Sequence, residues 1–155
     1  MFNNFMNGSI YVWGSPTAPL CAKIWHNTLD GSTNGLYLAS VSTVSFINNI
    51  VSNHPGTGIY VAAGATNPLA DHTLFYNNGT NGYEGSNFLT GDPLYYDRSA
   101  RNYHILYASP ARDAGDGSYM VGNDIDGQLR PDSSGVDIGA DEWITLIYLP
   151  MIQRP

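Results

Sequence analysis

Among the carboxylates in the last third of the chain, five could act together: Asp124, Asp126, Asp137, Asp141 and Glu142. Carboxylates at that density can converge on a calcium ion, which takes about six to eight oxygen ligands. The spacing is not that of an EF-hand loop. With Asp124 in the first position, the twelfth is Gly135, where that loop needs a bidentate Glu. The competing reading, and the preferred one, is that the Asp side chains cap tight turns and pair with Arg112 and Arg130 of the same segment. Calcium is then a possible cofactor and no other is indicated.

A second set could grip sugar. Tyr11, Tyr37 and Tyr60 each sit at the centre of an apolar triplet, with Trp13 and Trp25 near two of them in sequence. Aromatic rings in a row on a flat β face hold sugars by stacking on their apolar C–H faces. Against this stands the expectation that the C-terminal tail folds back over the row and keeps a large apolar patch from water. Cover is preferred over sugar.

Catalytic signals are weak. His26, His54, His72 and His104 show no zinc-ligand spacing. The Asp71–His72 pair is adjacent, and neighbouring side chains in a strand point apart. Up to Gly85 the charged residues are Lys23, Asp30, Asp71 and Glu84. Hydrolysis of a glycosidic bond needs two carboxylates facing one bond, and these three are spread along the chain. The residues point away from catalysis.

The elements that must position these groups repeat. Ile24-Trp25-His26-Asn27-Thr28-Leu29 returns as Phe46-Ile47-Asn48-Asn49-Ile50-Val51, then as Ala70-Asp71-His72-Thr73-Leu74-Phe75, at spacings of 22 and 24 residues. Between these runs a second phrase: Ile10-Tyr11-Val12, Leu36-Tyr37-Leu38 and Ile59-Tyr60-Val61, with Gly35 and Gly58 directly before the last two. Two short strands per period, bounded by Asn and Gly, describe a β-solenoid, in which each lap pairs with the next as a parallel sheet. Alternation places Val44, Phe46 and Ile50 inward and Ser45 and Ile47 outward. Asn tolerates left-handed bends and can stack on Asn as a hydrogen-bonded ladder. Asn27, Asn49 and Thr73 form the expected ladder, beside a row of His26, Asn48 and His72. Asn7-Gly8-Ser9 and Asn78-Gly79-Thr80 match the glycosylation pattern and read as turns.

Charge divides the chain. After Gly85 come ten acidic residues and five Arg. The predicted fold is therefore all-β: a short parallel β-helix of about three to four coils over residues 1–85, a capping tail over 86–143, and a terminal strand or anchor-like segment over 144–155. A net charge of −7 with six Lys and Arg excludes a nucleic-acid partner on electrostatic grounds. Cys21, the one cysteine, forms no internal disulfide. No apolar run is long enough to span a bilayer, and the first residues lack the form of a signal peptide.

The coils resemble the right-handed parallel β-helix of pectate-lyase-like proteins. The tail is similar to the endings of secreted bacterial β-helix proteins with a choice-of-anchor (type Q) domain. The matching residues are Ser109-Pro110-Ala111, Asp113-Ala114-Gly115, Asp124-Ile125-Asp126-Gly127, Arg130-Pro131 and Val136-Asp137-Ile138-Gly139-Ala140-Asp141-Glu142-Trp143. The resemblance implies an extracellular or cell-surface setting within a longer precursor, and no single reaction. The Asp-Asp pair and Gly-His-Gly of polygalacturonases are absent. The expected role is structural or adhesive, with possible polysaccharide contact and self-association through residues 1–10. The alternative is a fragment of a lyase or glycoside hydrolase acting on uronic-acid polymers.

Overall fold

Each recurring phrase folds into a strand that pairs with its own counterpart one lap away. In the computed structural model, which describes residues 1–14, 20–39, 42–132 and 134–144, this produces a parallel β-solenoid of about three turns. Along the chain come β1 (Phe5–Met6), β2 (Ile10–Val12), β3 (Leu20–Trp25), β4 (Thr28–Asp30), β5 (Leu36–Leu38), β6 (Ser42–Ile47), β7 (Ile50–Ser52), β8 (Thr57–Val61), β9 (Leu69–Asp71), β10 (Leu74–Tyr76), β11 (Thr80–Gly82) and β12 (Leu89–Thr90). They stack into a first face β3-β6-β9, a second face β1-β4-β7-β10-β12 and a third face β2-β5-β8-β11.

The register is the one the repeat predicts. Ile24 pairs with Phe46 and Phe46 with Ala70, while Tyr37 lies between Tyr11 and Tyr60. Parallel pairing runs on to Leu89 and Thr90.

Corners explain the Asn content. Between the first and second faces, Asn3, His26, Asn48, His72 and Asn87 all have φ between 45° and 56°. Between the second and third, Gly31, Asn53 and Asn77 have φ of 68°, 59° and 49°. Asn enters the left-handed region more readily than most residues, and here His shares the task. Gly35 has another reason: a Cβ there would lie 2.6 Å from the Gly58 carbonyl and 2.7 Å from Val51.

Inside the coils, Val12, Ile24, Leu29, Leu36, Leu38, Val44, Phe46, Val51, Ile59, Ala70 and Phe75 form one core. Each such side chain contributes about 1.5–3 kcal/mol on leaving water. Ile50 is not among them, contrary to the alternation argument. Val51 points in, and Ile50 joins Leu74, Ile105, Ala111 and Ile138 in a second core between the coils and the tail. The left-handed residue Asn48 turns the chain between Phe46 and Ile50, so the period of two does not carry across the corner. Ile47 shares Ser45's side of β6, yet it too is fully buried.

The tail lies along the flank of the second face and reaches back to the first lap. It opens with an antiparallel hairpin, β13 (Tyr95–Asp97) and β14 (Asn102–Ile105), and then proceeds mostly by turns. Gly139 rests on the coils: a Cβ there would meet Ile50 at 2.7 Å and Thr28 at 3.0 Å, and its φ of 104° disfavours any side chain. The Ala140 N–H donates to Thr28 Oγ1 at 3.2 Å. Asn3 and Phe5, at the far end of the stack, meet Asn123, Tyr103 and His104 of the tail. The anchor-like segment expected over 144–155 lies, from residue 145 onward, outside the described residues.

Candidate functional site

Tyr11, Tyr37 and Tyr60 occupy matching positions of β2, β5 and β8 on the outside of the third face. The ring centroids are 5.3 Å apart for Tyr11–Tyr37 and 4.8 Å for Tyr37–Tyr60, with planes inclined by 30° and 23°. The tail does not cover them, because it is committed to the second face. Tyr11 is 67% exposed and Tyr60 40%. This overturns the expected cover, and the geometry also changes what the strip offers. Rings stacked on one another use their facing sides, so the free aromatic faces belong to the end of the row. Trp13, two residues past Tyr11 in the chain, is 82% exposed.

Trp25 belongs elsewhere. It lies on the first face, its Nε1 donating to Ser45 Oγ at 2.7 Å, with Tyr119 of the tail edge-on at 5.3 Å and Lys23 over its ring at 4.9 Å. The sugar-binding reading therefore keeps Tyr11, Trp13, Tyr37 and Tyr60 and loses Trp25.

The ladder is real but shifted by one lap. Asn27 Nδ2 donates to Asn49 Oδ1 at 3.1 Å, and Asn4 Nδ2 to Asn27 Oδ1 at 2.8 Å. Thr73 occupies the next rung, but its buried hydroxyl has no partner among the described residues. A hydroxyl is shorter than an amide and does not bridge the lap. A second ladder runs from Asp30 through Asn53 to Asn77. Of the two glycosylation-like turns, Asn78 is spent inside the fold: it accepts from the His54 N–H and donates to the Val51 carbonyl.

The five tail carboxylates separate into distinct tasks. Asp124 accepts from the N–H groups of Asp126, Gln128 and Glu142 at 2.9, 2.8 and 3.1 Å. Asp137 accepts from Asp113 and Trp143 N–H groups, both at 2.6 Å. Burial pushes the Asp137 carboxyl up to about 7, with those two donors pulling the other way. Glu142 forms a buried ion pair with Arg130 at 2.8 Å. Arg130 also donates to the Gly139 carbonyl at 2.9 Å. Asp126 and Asp141 turn toward His104 instead. Turn capping thus accounts for Asp124 and Asp137, and pairing with Arg130 for Glu142. Arg112 takes a different partner, Asp113 at 3.1 Å.

The carboxylates of the coils do not assemble. Asp30, almost fully buried, pairs with Arg98 of the tail at 2.9 Å and accepts from Ser52 Oγ and Tyr103 Oη. Asp71 contacts His72 at 3.1 Å, and Glu84 accepts from Asn81. His26 is fully buried beside Asn48, and burial lowers it to about 3. His54 is lowered for the same reason.

Two features escaped the sequence reading. The Asp30–Arg98 pin joins residues 68 apart, and His104 meets Asp126 from 22 residues away. Neither spacing carries a local motif. No family model, curated protein or solved structure matches the chain. The likeness to pectate-lyase-like proteins therefore stands at the level of a parallel β-solenoid.

Proposed function

We propose that this chain is a non-catalytic module of an extracellular or cell-surface bacterial solenoid protein, structural or adhesive in role, that contacts polysaccharide through the aromatic strip of its third face. One observation carries the reading: the stacked row Tyr11–Tyr37–Tyr60, with Trp13 exposed two residues past Tyr11, lies open while the tail covers a different face. Rimmed apolar patches left exposed in this way mark binding sites. Trp13 and the outer side of Tyr11 supply flat faces for sugar C–H groups, and the phenol hydroxyls of the stacked row supply hydrogen bonds along a polymer. The edge strands β1 and β2 supply the surface for self-association.

Affinity electrophoresis against uronic-acid polymers, xylan, cellulose and chitin tests the reading. Retardation by at least one polymer is expected, lost in Trp13→Ala and Tyr11→Ala, whose melting temperatures stay near that of the parent. No retardation by any polymer, or equal retardation of parent and variants, overturns it. Release of reducing or unsaturated ends in the same panel points instead to the lyase or hydrolase alternative.

A further inference from the structure

At the end of β14 the tail gathers an imidazole and two carboxylates that the turn network leaves over. His104 Nε2 lies 2.7 Å from Asp126 Oδ2 and 3.9 Å from Asp141 Oδ1. The ligand-capable atoms of the three residues all fall within 4.8 Å of one another. Other contacts fix two of them. His104 Nδ1 is bonded to Asn102 Oδ1, which orients the ring and leaves Nε2 facing the carboxylates. Asp141 Oδ2 accepts from the Ile105 N–H at 2.8 Å. Asp141 Oδ1 accepts no hydrogen bond among the described residues, although its side chain is only 7% exposed. Asp141 lines a cleft through which a cation can reach that oxygen. His104, Asp126 and Asp141 line this cleft of about 230 Å³ together with Gln128 and Trp143.

We propose that His104, Asp126 and Asp141 bind one divalent transition-metal ion of the zinc type, with its remaining coordination positions open to that cleft. Two carboxylates and a neutral imidazole carry the charge that a dication balances. Ligand atoms each about 2.1 Å from a tetrahedral ion sit about 3.4 Å apart. The observed separations of 2.7 and 3.9 Å straddle that value. The adjustment falls to Asp126, whose side chain is 43% exposed on a turn. A nitrogen ligand favours zinc over calcium or magnesium, which prefer oxygen alone. The Asn102 bond to the far ring nitrogen is the outer-shell contact that metal-binding histidines usually make. Unlike the calcium reading of the tail, this site leaves Asp124, Asp137 and Glu142 to their backbone and Arg130 partners. The ion would tie β14 to the turn around Asp126 and to the segment around Asp141.

Calorimetric titration of chelator-treated full-length chain with zinc, calcium and magnesium chlorides tests it. A single equivalent of zinc is expected to bind, with calcium and magnesium much weaker. His104→Gln and Asp126→Asn should each weaken zinc by at least about tenfold. His72→Gln, in the separate Asp71–His72–Asp116 group, should leave binding unchanged. No saturable zinc binding by the parent, binding that survives both His104→Gln and Asp126→Asn, or binding lost in His72→Gln overturns the proposal. If a variant fails to fold, the histidine NMR signals of the parent decide. Zinc should shift those of His104, and a titration that leaves them unmoved contradicts the site.

Discussion

In the coils, a strand N–H finds the carbonyl of the strand one lap away; in the tail beyond its hairpin, several backbone N–H groups find a carboxylate instead. Tyr37 lies between Tyr11 and Tyr60 in a continuous ladder. Asp124, by contrast, takes two N–H groups from its own turn and a third from Glu142, and Glu142 takes two, from Asp132 and Asp137. The coils are held by stacked apolar side chains with few charges inside. The tail rests a small apolar patch on Ile50 and Leu74 and secures the rest with buried ions. The difference teaches where each region is vulnerable. Loss of apolar volume threatens the coils, and an unbalanced charge threatens the tail.

The largest effect should come from Arg130→Ala. It leaves Glu142 buried without its partner, a change that typically costs about 3–5 kcal/mol. Urea unfolding should register that loss, and hydrogen exchange should place it between residues 124 and 142 while β4 and β7 keep their protection. Equal loss in both regions would break the distinction. Next comes Ile50→Ala, expected to cost about 3 kcal/mol. Its neighbour Val51 faces the coil interior, so the exchange pattern separates the two sides of one strand. Ile50→Ala should loosen Ile105, Ala111 and Ile138, and protection lost first at Leu29 and Phe75 would contradict the assignment.

Much of the coil region was readable before any coordinates. Residues one lap apart must match in size and in turn type, so the period and the register of the Tyr triplets appear directly in the letters. The row of His26, Asn48 and His72 was also visible, though not that it marks the left-handed corner, since His carries no such local signal. The side of each strand was less so: three-residue strands separated by left-handed corners reset the alternation, which is why Ile50 was placed wrongly. The path of the tail was not legible at all. Its choice of the second face rests on contacts such as Asp30–Arg98 and Gly139 against Ile50, between residues far apart and without a repeat. The same holds for His104, which meets its carboxylates only through the folded tail.

The smallest effect concerns acid. Burial lowers His26 from 6.5 to about 3, and His54 in the same direction. Between those pH values the unfolded chain binds the proton and the folded chain does not. For His26 this contribution to stability is complete above pH 6.5 and is lost as pH falls toward 3, by about 1.4 kcal/mol per unit, and His54 acts in the same sense. Asp137, raised by burial, acts in the opposite sense, intact below its ordinary range and lost as pH rises through about 7. The comparison that isolates His26 is therefore parent against His26→Asn, since Asn suits the corner as Asn48 does. Urea melts at pH 7 and 4.5 should show a shallower acid loss in the variant, and an unchanged slope would mean that His26 is not held neutral.

The central claim is that the tail covers the second face and leaves the third face bare. Hydroxyl-radical footprinting read by mass spectrometry tests it most directly. Tyr11, Trp13 and Tyr60 should oxidise readily in the folded chain, while Tyr103, only 2% exposed where the tail packs on the coils, should resist until the chain is unfolded. Protection of Tyr11 and Tyr60 to the level of Tyr103 would place the tail over the aromatic strip and contradict the account.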